Sequence, residues 1–524
     1  MGIIQQRLMM PVLNSKNSLI MKKSFTLFVL LLSVLYAFSQ TTYYVSTTGN
    51  DDTGDGSQGA PFASINAAFD AAIADAGDTY EVNVEAGTYT MTATIQGRFG
   101  REATITIKGD GAATTIFQRY ADGEAHVNYR FFQANNANNN GVSIVLEDAT
   151  FKNFGFNNTN GGGLWNGVLG DTNTATNLTV RRCIIQNASA RSGAVIQTRN
   201  QNTVIFEDCY FDNITTFENN TLTAPVHFRG GTISIKNCVF NNMILDPIHS
   251  GSGVINVRRG ASALRITNEI NSMNAEIINN TFINCDTAHG NTPTSAWDTI
   301  RPVVMISADT GAGGAGSLVM YNNLFVGNMQ EVEENGCDIW IAEDDALTAD
   351  VQNNLMNKNV GITTAFDSVS ESYTYDAPEI NFTMDGDLPD FDTAANGLIY
   401  VTPNGTSVVG AGFADALVPA NDITGATRPS PPSIGAVEGE IPTTVTNIIV
   451  DNNILHPNPA VHHVVIASGD FKSVDMYNVY GQKIKSIELN GASAFSVEEV
   501  TAGMYIIVMQ KNNGSIVSTR LIKQ

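Results

Sequence analysis

The sequence predicts an all-β solenoid, because one ten-residue pattern recurs seven times along the middle of the chain. Each copy reads apolar, any, apolar, any, polar, then Cys, Asn or Ala, any residue, and a large apolar residue. Alternation with a period of two is typical of a strand that buries one face. A repeat of this size cannot bury its apolar face alone, whereas stacked repeats share one core. The copies begin at Ile144, Leu178, Val204, Ile233, Ala275, Leu318 and Ala349.

The polar residue in the middle of each copy predicts a tight bend. The alternation of apolar residues shifts by one position across this polar residue. A bend between two short strands would bring the apolar residues before and after it to the same, inward side. Asn, Asp and Lys at this place suit such a bend. One inward ladder of stacked side chains is expected just after it, formed by Cys183, Cys209 and Cys238 and continued by Asn280, Asn323 and Asn354.

The five cysteines are expected to serve as buried thiols rather than as a disulfide framework, since three of them share that ladder. Their spacing also fits no zinc site.

The large apolar residues are separated by 26 to 43 residues, which indicates a constant coil with loops of varying length. They are Phe151, Ile185, Phe211, Phe240, Phe282, Phe325 and Met356. The whole pattern resembles the right-handed parallel β-helix of pectate-lyase-like proteins, and the resemblance covers most of the chain. It implies a right-handed parallel β-helix solenoid.

Composition excludes some partners. The 524 residues carry a net charge of -23, with only 15% charged residues and 46 glycines. Low charge with much Asn, Thr and Gly fits a β-rich secreted protein better than a disordered one. An acidic chain does not favour nucleic acid or an anionic membrane as a partner, because both attract clustered Lys and Arg.

Residues 1–39 are predicted to be an upstream extension and a signal peptide. Lys22 and Lys23 precede an apolar run, and Ala37 and Ser39 form a small-x-small cleavage site. The apolar run is short for a membrane span, so no transmembrane segment is expected in the mature chain. Residues 1–39 hold four basic and no acidic residues, so their removal takes the net charge from -23 to -27.

Residues 40–440 are predicted to form the β-helix, with a capping helix at its start. Apolar residues spaced for one helix face are followed by Gly77, which ends the helix. Strands are expected at Tyr80–Val84 and Thr104–Lys108. A helix over the open end of a solenoid covers the exposed strand edge. The helix face consists of Ile65, Ala68, Phe69, Ala72 and Ile73.

Three acidic residues precede this helix and are candidate calcium ligands. Asp51, Asp52 and Asp55 lie in one short loop, and Ca²⁺ binds carboxylate oxygens. The alternative is a solvated turn whose acids cap the helix. Calcium is the single cofactor that the sequence suggests.

The end of the solenoid resembles the closing stretch of a group of secreted β-helix proteins. The matching positions are Gly425, Arg428, Pro429, Ile434, Gly435, Ala436 and Glu438. The resemblance implies that this stretch finishes the solenoid.

Residues 441–450 are predicted to be a linker, and residues 451–524 a small β-sandwich. Short alternating strands with Gly turns support the sandwich. The segment resembles the C-terminal sorting domain of type IX secretion, which implies the type IX machinery as a partner and a secreted or outer-membrane-surface location. The matching positions are Pro457, Asn458, Pro459, Gly481, Gly503 and Tyr505.

The third strand of several coils offers candidate active-site residues. Arg199, Arg229 and Arg258 are predicted at near-equivalent places on adjacent coils, about 4.8 Å apart. Guanidinium groups in this pattern suit the carboxylate or sulfate groups of an acidic sugar. The alternatives are an exposed ladder neutralised by loop carboxylates, or arginines that point to different sides.

On later coils the arginine positions are predicted to give way to Asp309 and Asp344, with Glu343 beside the latter. Paired carboxylates on neighbouring coils suit acid and base roles in glycoside hydrolysis, or calcium binding. His227 is a candidate base, and Trp297 and Trp340 are candidates for stacking on sugar rings. The alternatives are turn-forming acids, a structural histidine and core tryptophans.

Two functions follow, and the sequence leaves both open. The first is a polysaccharide-binding or polysaccharide-degrading protein, acting as a lyase or a hydrolase along an exposed groove. Known catalytic β-helix families place a Lys and an Arg on these strands or carry an Asn-Thr-Asp motif; the corresponding strands here lack Lys, and the motif is absent. The second function is a non-catalytic surface adhesin or structural solenoid.

Overall fold

The computed structural model divides the chain into two compact units, which meet in sequence between Gly439 and Glu440. The residues that the structure describes are 40–96, 101–119, 121, 130–133, 142–155, 165–167, 177–191, 194–199, 203–217, 224–246, 261–268, 272–287, 301–307, 316–328, 336–342, 347–356, 366–368, 382–383, 390–393, 398–402, 408–439, 449–450, 454–467, 470–478, 483–511 and 516–524. The predicted signal peptide and its upstream extension lie outside these residues.

Three parallel sheets build the first unit, and successive coils add one strand to each sheet in turn. Sheet 1 consists of β1 Thr41–Val45, β2 Thr79–Val84, β5 Ala103–Gly109, β8 Val142–Glu147, β11 Asn177–Arg181, β14 Thr203–Glu207, β17 Gly231–Lys236, β20 Met273–Ile278, β24 Gly316–Tyr321 and β27 Leu347–Gln352. Its strands pair in parallel with every apolar pair in register, as in Leu178 with Val204 and Val204 with Ile233.

Sheet 2 consists of β3 Gly87–Thr90, β6 Thr115–Gln118, β9 Thr150–Lys152, β12 Ile184–Arg191, β15 Tyr210–Phe217, β18 Val239–Asp246, β21 Thr281–Ile283, β25 Leu324–Val326, β28 Leu355–Met356 and β30 Phe382–Thr383, with β22 Asp286–Thr287 beside β18.

Sheet 3 consists of β4 Ile95–Gln96, β7 Phe132–Gln133, β10 Trp165–Gly167, β13 Ile196–Arg199, β16 Val226–Arg229, β19 Leu264–Thr267, β23 Arg301–Ser307, β26 Gly336–Ala342 and β29 Phe366–Ser368. Separately, β31 Asp390–Thr393 and β32 Ile399–Thr402 pair antiparallel. The unit is a right-handed parallel β-helix, as predicted.

The predicted bend between sheets 1 and 2 is made by one residue with left-handed backbone geometry. Its φ lies between 51° and 56° in all seven copies, and six of the seven residues are the Asn or Asp that tolerates this region best. A left-handed residue turns the chain sharply, which explains why the inward positions change phase there. The seven residues are Asp148, Arg182, Asp208, Asn237, Asn279, Asn322 and Asn353.

The inward ladder after the bend is confirmed. Cys183, Cys209 and Cys238 are buried free thiols, and their sulfurs lie within hydrogen-bond distance of nearby carbonyl oxygens. Burial raises the pKa of the Cys183 thiol, so the protonated form is favoured. The asparagines then continue the same row. Asn323 Oδ1 accepts from the Asn280 backbone N–H at 3.0 Å, and Asn323 Nδ2 donates to Asn354 Oδ1 at 2.8 Å.

A row of aromatic rings fills the core beside this ladder. Phe211 and Phe240 stack with ring centroids 4.7 Å apart, and the rings of Phe282 and Phe325 continue the row at 4.7 and 4.8 Å. The rings are within 8° of parallel because the strand register repeats without slip. These are the large apolar residues that the spacing of the copies singled out.

The predicted helix is present as α1 Ile65–Ala74, and its apolar face is buried. Ser64 caps its start, where the Oγ accepts from the Ala67 backbone N–H at 3.2 Å. At the other end Arg101 donates to four carbonyl oxygens of the last turn and the residues after it, those of Ala72, Ile73, Asp75 and Gly77. A cation at this end complements the helix dipole and the unpaired carbonyls.

The closing segment, residues 408–439, runs along the side of the solenoid, where it contacts successive bends. Asn353 and Asn322 donate from their side-chain amides to the carbonyls of Ala411 and Phe413, and Asn279 donates to those of Ser433 and Gly435. The resemblance implied that this stretch finishes the solenoid, and its path along the bends was not predicted. The bend asparagines determine the observed path, since their side chains form the hydrogen bonds to its backbone.

One buried ion pair holds the closing segment together. Arg428 contacts Glu438 at 3.0 Å, and both side chains are almost fully buried. Arg428 also donates to Asn237 Oδ1 at 2.9 Å, which links the segment to a bend of the solenoid. Burial lowers the pKa of the Arg428 guanidinium despite the nearby carboxylates.

The second unit contains eight strands in two sheets. The strands are β33 Ile449–Val450, β34 Leu455–His456, β35 His463–Ile466, β36 Phe471–Asn478, β37 Lys483–Glu488, β38 Ala494–Ser496, β39 Gly503–Lys511 and β40 Ile516–Lys523. One sheet orders its strands β33-β40-β39-β36-β37 and the other β34-β35-β38, and every pair is antiparallel except β33 with β40. Val464 and Phe495 of the smaller sheet share an apolar core with Val474, Ile507 and Leu521 of the larger. The unit is a small β-sandwich, as predicted.

Candidate functional site

Sheet 3 brings together the candidate residues that the structure describes. On β16, Val226 and Phe228 belong to the apolar core, so alternation places His227 and Arg229 on the outward face. On β19, Leu264 and Ile266 belong to the same core, and Arg265 faces outward between them. The register of strand pairing determines which outward side chains of adjacent coils are neighbours.

The outward row at the middle of these strands is polar at one end and apolar at the other. Its register runs through Gln197, His227, Arg265, Met305 and Trp340. We call these five residues the sheet 3 row. His227 and Arg265 are directly paired neighbours, with a strand separation of about 4.8 Å. An imidazole and a guanidinium thus stand side by side.

The sheet 3 row is buried although it faces away from the core. His227 is 0% exposed, Arg265 2% and Trp340 3%. Met305 and Trp340 form a separate apolar cluster with Ala224 and Ala261, outside the main core. In the structure the row is therefore covered rather than open to solvent, which differs from the open groove that the sequence predicted.

The predicted arginine ladder is confirmed for its first two members only. Arg199 pairs in register with Arg229. On the next coil Thr267 occupies this position, and Arg258 lies outside the described residues and outside β19. The prediction for Arg258 as a third rung is therefore wrong. The strand of that coil begins later in the sequence than the arginine count assumed, because the loop before it is longer.

The prediction that carboxylates replace the arginines on later coils is also wrong. The strand position that Arg229 occupies on β16 is taken by Thr267 on β19, Ser307 on β23 and Ala342 on β26. Asp309 and Asp344 come two residues after these strand positions and lie outside the described residues. Glu343 and Trp297 lie outside them too. Their chemical roles therefore stay predictions.

Sequence reasoning missed Arg265 and Gln197. Both were detectable, since Arg265 is the polar residue of the segment Leu264–Thr267, which alternates apolar and polar. The true register of β19 was hidden by Val254–Arg259, a stretch that also alternates and carries two arginines.

The acidic loop before α1 uses its carboxylates for local structure. Asp51 Oδ1 accepts from the backbone N–H groups of Ala63 and Ser64 at 2.7 and 2.9 Å. Asp55 Oδ1 accepts from the Ser57 N–H at 2.9 Å, and hydrogen bonds from the Ser57 side chain and backbone lower the pKa of Asp55. Asp52 is exposed. These contacts match the turn-and-cap alternative and give no support to a calcium site.

No group of three His, Cys, Asp or Glu side chains is arranged to hold a metal ion in the part of the chain that the structure describes. Within the same residues, no helix is long and apolar enough to cross a membrane.

The sorting positions lie at structural junctions of the second unit. Asn458 donates to the Arg520 carbonyl at 2.6 Å and accepts from the Ile522 N–H at 2.9 Å, which ties its loop to β40. Pro457 and Pro459 flank it on either side. Gly503 begins β39.

Tyr505 is buried, and its hydroxyl donates to the Thr501 carbonyl at 2.8 Å. Gly481 lies outside the described residues.

Comparison with known proteins assigns this unit. Residues 454–524 match the family model of the secretion system C-terminal sorting domain. The second unit is a type IX secretion sorting domain. The protein is therefore secreted or attached to the cell surface, as the sequence predicted. No curated protein matches the chain.

Several solved structures are similar to the chain. A mutant of the PL6 family alginate lyase AlyGC matches with 13% identity and a TM-score of 0.37, over 66% of this chain and 39% of that one. The pectate lyase Pel9A matches with 15% identity and a TM-score of 0.27, over 77% and 98%. A GH136 lacto-N-biosidase from Eubacterium ramulus matches with 12% identity and a TM-score of 0.21, over 62% and 65%. The chain thus spans well under two thirds of the alginate lyase.

Proposed function

We propose that this secreted protein binds an acidic polysaccharide on the outward face of sheet 3, where His227, Arg229 and Arg265 contact the sugar acid. The observation that carries the proposal is the grouping of these three side chains on two adjacent strands, β16 and β19. Guanidinium groups pair with carboxylate or sulfate in a bidentate manner, and a neighbouring imidazole supplies a candidate base.

The proposed chemistry of degradation rests on the same residues. His227 lies beside Arg265, so a base and a charge-stabilising cation are available to one sugar unit. The reaction class that such a pair suits is β-elimination. The base takes the proton next to a uronate carboxylate, the C–O bond to the leaving sugar breaks as a C=C bond forms, and the leaving oxygen takes a proton from the protonated base or from water. Arg199 pairs in strand register with Arg229, and we propose it as a further cation for the same polymer. Asp309 and Asp344 are proposed to add carboxylates beyond the strand ends, and Trp297 a stacking surface.

The burial of the sheet 3 row favours the second function, a non-catalytic solenoid that serves as an adhesin or a spacer. A polysaccharide reaches His227 and Arg265 only if the residues that cover them move aside. In the spacer function the row instead packs permanently against its cover.

The test is binding and cleavage by the purified mature chain on a panel of acidic and neutral polysaccharides, with and without calcium. Lyase action produces new ultraviolet absorbance from unsaturated ends, and hydrolysis produces new reducing ends. We expect binding to an acidic polymer that weakens at least tenfold in Arg265→Gln. Arg181→Gln is the matched control, because Arg181 lies on sheet 1 in an exposed ion pair with Glu207 at 3.1 Å.

Arg265 is buried, so its variant is checked for folding by thermal unfolding, and the half-buried Arg229→Gln is tested in parallel. Equal binding by the parent and both variants would reject sheet 3 as the site. No binding to any polymer would favour the spacer function. If binding or cleavage required calcium, carboxylates such as Asp51, Asp52 and Asp55 would again be candidate calcium ligands.

A further inference from the structure

Exposed apolar side chains are concentrated in the sorting domain. Of the large apolar residues that are more than a third exposed in the described part of the chain, Leu417 alone belongs to the β-helix. The other six all lie in the sorting domain, although it comprises only residues 454–524. They are Val461, Val465, Ile484, Met504, Ile506 and Ile522. A large exposed apolar surface on a soluble domain marks an interaction site.

Three of these residues form one patch on the five-stranded sheet. Met504 on β39 pairs directly with Ile522 on β40, and Ile506 lies two residues further along β39 on the same face. Between 38% and 48% of each side chain is exposed. We call Met504, Ile506 and Ile522 the outer patch.

The sequence of β39 itself places apolar residues on the outer face, and a wrong strand register does not explain them. β39 alternates correctly, since Tyr505 and Ile507 are buried in the core of the sandwich. An ordinary two-faced strand places polar residues at the positions between them. Here those positions carry Met504 and Ile506, so both faces of the strand are apolar.

The charge of the sorting domain contrasts with that of the chain it follows. Residues 454–524 contain six Lys and Arg against five Asp and Glu, a net charge of +1. Residues 40–453 contain 18 and 46, a net charge of -28. Arg520 is exposed on β40, two residues from Ile522 and on the same face by alternation. The patch therefore has an apolar centre with a cation beside it.

We infer that the outer patch is the surface by which the secretion machinery recognises this chain, and that its partner there is a protein surface with an apolar centre and an acidic rim. The family match supplies the occupant, because a sorting domain must be read by the machinery that exports it. Apolar contact supplies affinity, while the acidic rim opposite Arg520 orients the domain. This inference is independent of the function proposed for sheet 3.

The test measures export of the full chain in a host with a type IX system. The variant Met504→Thr/Ile506→Thr/Ile522→Thr removes the patch and keeps residues that favour strands. We expect the exported fraction, measured by immunoblot of medium and surface against periplasm, to fall at least tenfold, with the protein retained in the periplasm. Thermal unfolding of the purified chain is expected to change little, since all three residues lie on the outer face of the sheet and none belongs to the core of the sandwich.

Two further variants make the result specific. Val461→Thr/Val465→Thr removes equally exposed apolar residues from the region of the three-stranded sheet, and its export is expected to match the parent. Ile506→Val/Ile522→Val keeps the patch apolar and is also expected to match the parent. Normal export of the patch variant would overturn the inference, and so would equal loss in the Val461 and Val465 control. A dimer of the parent in sedimentation that disappears in the patch variant, with export unaffected, would assign the patch to a second copy instead.

Discussion

Replacing Asn323 by Ala tests whether the asparagine ladder holds successive coils together. Asn323 makes four side-chain hydrogen bonds, all of them buried. Its Oδ1 accepts from the backbone and side-chain N–H groups of Asn280, both at 3.0 Å. Its Nδ2 donates to the Ile277 carbonyl at 2.7 Å and to Asn354 Oδ1 at 2.8 Å. The substitution removes every one of these bonds from the interior.

Three of the four partners retain a hydrogen bond after the substitution. The Asn280 side chain still donates to the Ile235 carbonyl at 2.9 Å, and Asn354 Oδ1 still accepts from the Asn323 backbone N–H at 3.0 Å. The Ile277 carbonyl lies in β20, which pairs in register with β24, so it keeps its place in the strand ladder. The Asn280 backbone N–H is left unsatisfied, which costs ~1–3 kcal/mol, and with the bonds that the other three partners lose we expect a cost of about 3 kcal/mol of unfolding free energy.

Urea unfolding of the full chain, followed by circular dichroism, measures this cost. With a slope of about 3 kcal/mol per molar urea, the transition of the β-helix moves down by about 1 M. Asn323→Cys is expected to cost less than Asn323→Ala, because a thiol fills the same position in three earlier coils. Ser317→Ala, which removes one exposed hydrogen bond to Asn274 at 2.8 Å, is the control and changes the midpoint little. An effect of Asn323→Ala no larger than that of Ser317→Ala would refute the reasoning.

Three further predictions address other contacts. Arg428→Ala leaves Glu438 buried without its cation, which costs ~3–5 kcal/mol, and limited proteolysis within residues 408–439 is expected to accelerate; unchanged cleavage would contradict it. Arg101→Ala removes the charged hydrogen bonds at the end of α1, each worth about 1.5–3 kcal/mol, and is expected to expose α1 to hydrogen exchange, whereas Asp70→Ala on the exposed side is not. Burial raises the pKa of Asp208, so the ionised carboxylate destabilises the folded state. This destabilisation is complete at neutral pH, and it disappears as the pH falls through the raised pKa and then through the ordinary pKa. Asp208→Asn is therefore expected to raise the melting temperature at pH 7 relative to the parent and to lose that advantage in acid, and a constant difference at all pH values would disprove the assignment.

The repeats determined most of the solenoid from the sequence alone. Each copy contains its own strand, bend and inward residue within ten positions, so local spacing was sufficient to place the thiols, the asparagines and the phenylalanine row. The shift of phase at Asp208 or Asn237 even indicated the bend before its left-handed geometry was known. The sorting domain was equally local, since its turns and strands are adjacent in sequence.

A second left-handed position, described in six of the seven copies, was not predicted, although it is also mostly asparagine. It occurs at Asn153, Asn187, Asn213, Asn242, Asn284 and Gly327 within or after the strands of sheet 2. It is the last residue of each of these ten-residue copies, and no change of phase follows it within the copy to indicate a bend.

Tertiary structure alone decided the register of sheet 3 and the path of the closing segment. Loops of different length precede each third strand, so counting residues from Arg229 led to Arg258, while strand pairing led to Thr267. Pairing is a cooperative property of the whole coil, and it aligns the core residues whatever the loop length. Burial of His227 and Arg265 likewise depends on residues distant in sequence, because a strand pattern tells which face a side chain occupies but not what covers it.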